Sequence, residues 1–311
     1  MRTVTVLIPV YRGEATLVRL YQEISAAMPA LVPDYEIVFV EDCGGDNSWA
    51  VITELAAADP RVRGIRMSRN FGQHNALLAG IRAARHELIL TMDDDLQHPV
   101  SEIGAMLAAL TDNLDVVYGA PQAERHGFLR DMASRLTKLA LTEVMGAATA
   151  RSVSAFRVFR TKLRDGFHDY RSPSVSIDVL LTWTTSRFGA IRLQHLPRTI
   201  GASGYTLRKL ITHAANLMTG FSTLPLQIAS ITGFALVLLG FLILVLVLVN
   251  FMIRGEQAPG FASLACMIII FSGAQLFSLG VIGEYLARMH FRSMEKPVYV
   301  VAETTDRAPD A

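Results

Sequence analysis

Three consecutive carboxylates, Asp93, Asp94 and Asp95, follow a short apolar run in the stretch LILTMDDDLQHP. Carboxylates at this spacing repel one another unless a cation sits among them. A hard divalent ion, Mg²⁺ or Mn²⁺, itself able to hold phosphate oxygens, is the natural partner. A second acidic pair, Glu41 and Asp42, ends a second apolar run, YEIVFV. An isolated DDD is as well explained by an acidic turn with one Asp capping the next helix. Two strands ending in paired acids are harder to explain as structure alone.

The elements that must position these acids read as follows. Val4 to Pro9 is a first short strand, and Ala15 to Met28 has helical spacing. Tyr35 to Val40 is a second strand, followed by a Gly-Gly turn and a helix from Asn47 to Ala58 that Asp46 can cap. Val62 to Met67 and Leu88 to Met92 are further strands, with Gln73 to Ala84 helical between them. Pro99 to Leu110 is helical, and Val116 to Tyr118 gives a fifth strand. Strand and helix alternating at this spacing predict a mostly parallel, doubly wound α/β sheet. Ligands of such sheets sit outside the carboxyl ends of the strands, which brings Glu41 and Asp42 towards Asp93 to Asp95.

Composition narrows the classes. The chain has 311 residues and a net charge of +1, which gives no sign of nucleic-acid binding. No GxGxxG follows the first strand and no GxxxxGK[ST] occurs, against a dinucleotide oxidoreductase or a P-loop ATPase. Cys43 and Cys266 lie far apart and form no disulfide framework or zinc pattern. His74 and His98 flank the motifs and read as local hydrogen-bond partners rather than ligands. No signal peptide is expected before the first strand.

Mean hydropathy is +0.34, with the excess after about Leu224. Ile228 to Ile253 carries no charge, and at 1.5 Å per residue it exceeds the ~30 Å hydrocarbon core. Phe261 to Gly283 reads as a second span, joined by the short connection RGEQAPG. Tyr205 to Phe221 has an apolar stripe opposite Arg208, Lys209, Thr212, His213 and Asn216, as an interfacial or domain-packed amphipathic helix would. Basic residues flank the pair of spans, and only Arg254 lies in the connection. The positive-inside rule then places both termini in the cytoplasm. The expected division is 1–204 for the α/β domain, 205–223 for the amphipathic helix, 224–287 for the two spans and 288–311 for a cytoplasmic tail.

An ordered set of segments carries a resemblance: IPVY (Ile8 to Tyr11), VEDCGGDNS (Val40 to Ser48), RNFGQHNALLAG (Arg69 to Gly80), MDDDLQHP, AFRVFR (Ala155 to Arg160) and RTIGASGYTLRKL (Arg198 to Leu210). The chain resembles family-two glycosyltransferases of the polyprenyl-phosphate type, a group that includes dolichyl-phosphate mannose synthase and undecaprenyl-phosphate transferases. The resemblance implies a glycosyltransferase A-type domain whose Asp93, Asp94 and Asp95 bind metal and the nucleotide-sugar diphosphate, with Asp95 and Asp93 the first expected metal ligands and Gln97 a further oxygen ligand. It implies that Pro9, Tyr11, Glu41 and Asp42 hold the nucleoside side of the donor and Arg198 its diphosphate. It places the acceptor phosphate at Arg157 and Arg160. This sequence departs from the family at Cys43 and Gly44, at Gly13, at Pro121 and at Gly204, so which cation replaces the absent arginine and lysine is open.

The function so implied is a membrane-anchored, metal-dependent, inverting transfer of a sugar from a nucleotide-sugar donor to a polyprenyl phosphate for the cell envelope. The expected location is the cytoplasmic (inner) membrane, multi-pass, with the catalytic domain in the cytoplasm. Homo-oligomerisation stays open, as do the sugar, the base and the prenyl length. Transfer to a sugar hydroxyl of a lipid-linked glycan is the enzymatic alternative, with Asp178 or one of the three aspartates as base. A non-catalytic nucleotide-sugar-binding membrane protein is the other.

Overall fold

Apolar runs that are buried on both faces make strands without polar alternation, and the central strands here are of that kind. The computed structural model describes residues 2–121, 152–172, 175–193, 223–254 and 260–306. The first strands and helices are β1 (Val4–Val10), α1 (Leu17–Leu31), β2 (Tyr35–Glu41), α2 (Ser48–Ala58), β3 (Val62–Met67), α3 (Gln73–Ala83) and β4 (Leu88–Thr91). A 3₁₀ turn, Val100–Glu102, leads into α4 (Ile103–Ala109), and then come β5 (Val116–Pro121) and β6 (Arg157–Arg160). After a second 3₁₀ segment, Thr161–Phe167, come α5 (Ile177–Thr182), β7 (Phe188–Leu193), the long helices α6 (Leu224–Arg254) and α7 (Phe261–Ser293), and β8 (Val301–Thr304).

The eight strands form one sheet in the order β7-β5-β6-β4-β1-β2-β3-β8. The pairs β1·β2, β1·β4, β2·β3 and β5·β7 are parallel, while β6 runs antiparallel between β4 and β5, and β8 antiparallel beside β3. The expected α/β sheet domain is present, enlarged by three strands that sequence patterning did not mark. β1 shows why both faces are apolar. Val4, Val6, Ile8 and Val10 pack with Leu17, Leu20 and Ile24 of α1 on one side. Leu7 packs with Ala76, Leu77 and Ile81 of α3 on the other. At Gly80 an added Cβ would lie 2.1 Å from Leu7 Cδ1, so α3 rests directly on the strand.

The chain divides into two compact units, Met1–Ala214 with Glu295–Ala311, and Ala215–Met294. The C-terminal tail, expected as a separate segment, supplies β8 to the sheet of the first unit. Asp306 holds it there by accepting two bonds from Arg63, at 2.7 Å each. The second unit contains α6 and α7. Pro225–Ile253 and Ile270–His290 are long and apolar enough to cross a membrane, with mean hydropathies of 3.1 and 1.3. The expected Phe261 to Gly283 lies wholly within α7, and the apolar segment extends to His290. It runs on past Glu284 and Arg288, whose one-turn ion pair at 2.7 Å offsets their charges. The expected amphipathic helix 205–223 lies outside the described residues up to Thr223.

Candidate active site

The parallel strands β1, β2 and β4 end at the same sheet edge, and the carboxylates follow from that geometry. Val10 lies opposite Glu41, and Leu7 opposite Thr91. Pro9 points its missing N–H towards β4, two residues past the last β1–β4 pair at Leu7, where no ladder bond is lost. The loops leaving these strands carry left-handed residues at Arg12 (φ 59°), Cys43 (φ 53°) and Leu96 (φ 60°). Non-glycine residues there cost of order 1–3 kcal/mol each and persist only where the surroundings fix them. Arg12 Nε donates to Gly44 O at 3.1 Å, and a Cβ on Gly44 would meet Arg12 N at 2.6 Å. The two loops therefore close on each other only because residue 44 has no side chain.

Asp93, Asp95 and His98 offer three ligand atoms, all within 4.8 Å of one another. Two carboxylate oxygens and an imidazole nitrogen form a donor set that fits a divalent first-row ion such as Mn²⁺. Mg²⁺ suits the carboxylates but not the imidazole. Gln73 Nε2, at the start of α3, donates to Asp93 Oδ1 at 2.7 Å. The backbone N–H of Gln97 donates to Asp95 Oδ1 at 3.2 Å. His98 is buried and stacks on Phe156, with ring centroids 5.1 Å apart. The sequence alone marks His98 only as a local hydrogen-bond partner. Its signal was the D-x-D-x-x-H spacing, which puts an imidazole beside the outer two aspartates.

Asp94 turns the other way, towards the end of β1. Its Oδ2 accepts the backbone N–H of Tyr11 at 3.3 Å, and a Cβ on Gly13 would lie 2.6 Å from it. That approach explains why residue 13 is glycine rather than the acid its family pattern suggests. Glu14 instead accepts from Asn47, through Nδ2 at 3.0 Å and the backbone N–H at 3.2 Å. Desolvation, with Asp93 and Asp95 alongside, pushes the Asp94 carboxyl up to about 7.

The donor-side residues separate by role. Tyr11 is 49% exposed at the edge, a flat ring with the Arg12 guanidinium 5.4 Å from its centroid. Glu41 is buried; its Oε1 accepts from Gly44 N at 2.6 Å, and its Oε2 lies 3.5 Å from Arg66 Nε. Asp42 is turned inward. Its two oxygens accept the backbone N–H groups of Phe71 and Gly72, at 2.7 Å each. Burial raises its pKa, while those two bonds pull it down. Asp42 thus holds the turn before α3, the helix that brings Gln73 to Asp93.

The two arginines expected together lie at opposite ends of one strand. Because β6 is antiparallel to β4, Arg157 pairs with Thr91 at the carboxyl edge and Arg160 with Leu88 at the amino edge. This register places Arg157 at the edge that carries Asp93 to Asp95, and Arg160 at the edge away from them. Its guanidinium lies 3.3 Å from Asp115 and donates to Thr111 O at 3.2 Å. Arg157 is fully buried. It donates to Thr91 Oγ1 at 3.0 Å and forms an ion pair with Asp178, whose Oδ1 also accepts Tyr118 OH at 3.1 Å. Its charge is also felt at Asp93, more weakly than at Asp178. Arg198 lies outside the described residues.

The comparisons with known proteins agree with this architecture. Residues 5–168 match the family described as glycosyl transferase family 2. An undecaprenyl-phosphate 4-deoxy-4-formamido-L-arabinose transferase of Proteus mirabilis is 31% identical, over 96% of this chain and 92% of its own length. One from Yersinia pestis is 32% identical, over 100% and 97%. Mannosyl-3-phosphoglycerate synthase of Rubrobacter xylanophilus superposes with a TM-score of 0.50 at 16% identity, covering 68% of this chain and 70% of its own. Glucosyl-3-phosphoglycerate synthase of Mycobacterium tuberculosis, solved with Mn²⁺, UDP-glucose and glycerol 3-phosphate, gives 0.51 at 15%, covering 70% and 78%. The structural likenesses establish the fold; the sequence match, running through the carboxylates at the sheet edge, establishes that the chain belongs to the family 2 glycosyltransferases.

Proposed function

We propose that this glycosyltransferase moves a sugar from a nucleotide-sugar donor to the phosphate of a polyprenyl phosphate, undecaprenyl phosphate first among them, in the building or modification of the cell envelope. The observation that carries this reading is the likeness to undecaprenyl-phosphate transferases over nearly their whole length, apolar helices included. A lipid acceptor is what gives a sugar transferase a use for two such helices.

Asp93, Asp95 and His98 are the residues that would hold a divalent ion, with Mn²⁺ the better fit. Such an ion, when bound, neutralises charge on a leaving nucleoside diphosphate. Gln73 and the Gln97 backbone fix the two carboxylates in the meantime. Tyr11 offers a stacking surface to the nucleobase, and Glu41 an acceptor oxygen beside it. Arg157 is a positioning residue: held by Asp178 and Thr91, it sets the end of β4 and the field at Asp93. The acceptor phosphate is an anion at neutral pH, so no strong base is required, and in-line attack inverts the anomeric carbon. Asp178 is committed to Arg157 and Tyr118, which weighs against it as the base of a hydroxyl-acceptor enzyme.

The polypeptide leaves the first unit before α6 and rejoins it after α7, which supports an even number of crossings with both ends on one side. The basic residues flanking the pair of spans favour the cytoplasmic side of the inner membrane for the catalytic unit. A cysteine at Gln257, in a background lacking Cys43 and Cys266, should react with an impermeant reagent from outside intact cells. Cys43 alone should not.

The deciding experiment reconstitutes the full chain with Mn²⁺, undecaprenyl phosphate and a panel of radiolabelled nucleotide sugars, starting with the nucleotide-activated 4-deoxy-4-formamido-L-arabinose. The expected product is a lipid that mild acid cleaves back to free sugar, as it does a glycosyl phosphate. An acid-stable product, or transfer to a phosphate-free lipid alcohol, would overturn the reading in favour of a hydroxyl acceptor.

A further inference from the structure

Trp183, the residue that closes α5, is 54% exposed, and the Tyr170 ring meets it edge-on with centroids 5.5 Å apart. An indole left in solvent beside a second aromatic ring is a large apolar surface with a polar rim. Beside it, Arg171 is two-thirds exposed and lies 3.7 Å from Glu295. A cavity of about 390 Å³ opens here between residues 168–171 and 295–299, with Arg82, His168 and Arg171 among its walls. Lys296 is exposed on the same segment.

Chain connectivity says what is near this surface. The second apolar segment ends at His290 and α7 at Ser293, two residues before Glu295. At about 3.5 Å per residue at most, Glu295 is within ~18 Å of the end of the apolar segment. Tryptophan and tyrosine favour the level of lipid headgroups, and arginine and lysine are drawn to anionic ones. We propose that the surface formed by Trp183, Tyr170, Arg171 and Lys296 docks on the headgroup layer of an anionic bilayer. The proposal rests on the reading of α6 and α7 as membrane spans. It adds a second, peripheral contact, made by the catalytic unit itself.

The chain has two tryptophans, which makes the test direct. Trp49 donates its indole N–H to Glu303 at 2.8 Å and serves as the internal control. Full-length Trp49→Phe and Trp183→Phe proteins are placed in nanodiscs of phosphatidylglycerol carrying bromine near the top of the acyl chain. Fluorescence of the sole remaining tryptophan is compared with unbrominated discs. Trp183 should be quenched severalfold more than Trp49; equal or weaker quenching overturns the proposal. As a second readout, Trp183→Ser with Arg171→Gln should raise the acceptor KM about three- to tenfold in phosphatidylglycerol vesicles. It should leave the donor KM and turnover of detergent-dispersed acceptor unchanged, and a loss in every assay would overturn docking in favour of a folding defect. Protein recovered free of lipid would remove the spanning reading and this proposal together, whereas quenching without sugar transfer would leave docking standing and remove only the proposed reaction.

Discussion

The two edges of the one sheet treat their carboxylates in opposite ways. At the amino edge, acids are neutralised one by one by arginine. Arg63 bridges Glu36 at 2.8 Å and Asp306 at 2.7 Å. Arg187 and Arg160 both reach Asp115, at 2.6 and 3.3 Å. The Asp115 carboxyl is held down to about 2, with the Arg187 bond the largest cause, and Asp59 and Asp306 are lowered by Arg61 and Arg63. At the carboxyl edge, Asp42 and Asp94 are pushed up instead, chiefly by desolvation, and Asp94 sits between two further carboxylates. Paired acids at one edge serve stability. Crowded acids at the other are an arrangement that folding alone does not favour and that a cationic ligand relieves. The same edge carries three of the four left-handed non-glycine residues among the described residues, so backbone strain and crowded carboxylates coincide there.

The largest effects should come from neutralising the crowded edge. Asp95→Asn should reduce sugar transfer by ~10³-fold or more, because a neutral amide is a poor ligand for a hard cation. Its melting temperature should equal or exceed that of the parent, since one like charge has been removed. His98→Ala should weaken Mn²⁺ binding, measured by titration calorimetry, at least tenfold. An Asp95→Asn enzyme of near-normal rate, or full activity in excess chelator, would break the assignment of this edge as the metal site.

Arg157 and Arg160 lie three residues apart and test the two edges within one strand. Arg157→Lys keeps the charge but loses the planar fork that reaches Thr91 and Asp178 together, leaving buried acceptors short of a donor. Transfer should fall roughly tenfold to a hundredfold in kcat/KM, the equivalent of ~1.5–3 kcal/mol. Arg160→Lys should leave kinetics within about twofold. Equal losses in both would mean that the register of β6 does not separate their roles.

How much of this was legible beforehand follows from range in sequence. β1 to β5, with the intervening helices, could be read from local apolar runs, and the outcome of two acidic strand ends meeting followed from parallel topology. β6 could not: RVFR is four residues, and its direction between β4 and β5 is set by a long-range pairing. The separation of Arg157 from Arg160 could not be read either, since an unread strand gives no register. β8 was hidden for a similar reason, because Val301–Thr304 pairs with a strand over two hundred residues earlier. Asp42 shows another limit. Its type and position mark it as a ligand-binding acid, while its oxygens also accept from the Phe71 and Gly72 backbone, a partner no motif names.

Asp306→Asn probes the amino edge from the tail. Breaking one partner of a buried ion pair costs ~3–5 kcal/mol, but Asp306 is about a third exposed and Arg63 keeps Glu36. Discounting for solvent gives ~1–3 kcal/mol, a fall of several degrees in melting temperature. Donor KM should stay within about twofold, because Arg66 keeps its approach to Glu41. A tenfold rise in donor KM would instead make β8 part of the donor site.

The smallest effect expected is the acid response of Asp115, and it carries the sign of the whole comparison. Its folded carboxyl sits at about 2, below the ordinary 3.8, because Arg187 and Thr185 bond the ionised form. A depressed carboxyl stabilises the fold fully above its unfolded value and loses that contribution as pH falls through its folded one. The loss therefore falls between about pH 4 and pH 2. Arg187→Gln should remove most of it, flattening the denaturant midpoint across that interval by a small amount, because the Arg187 side chain is half exposed and solvent screens the pair. At pH 7 the variant should transfer sugar at the parent's rate, because the amino edge holds no part of the proposed site. If Arg187→Gln leaves the acid limb unchanged while altering transfer at pH 7, the division of labour between the two edges is wrong, and the charge pairs of the amino edge reach the reacting groups through the strands.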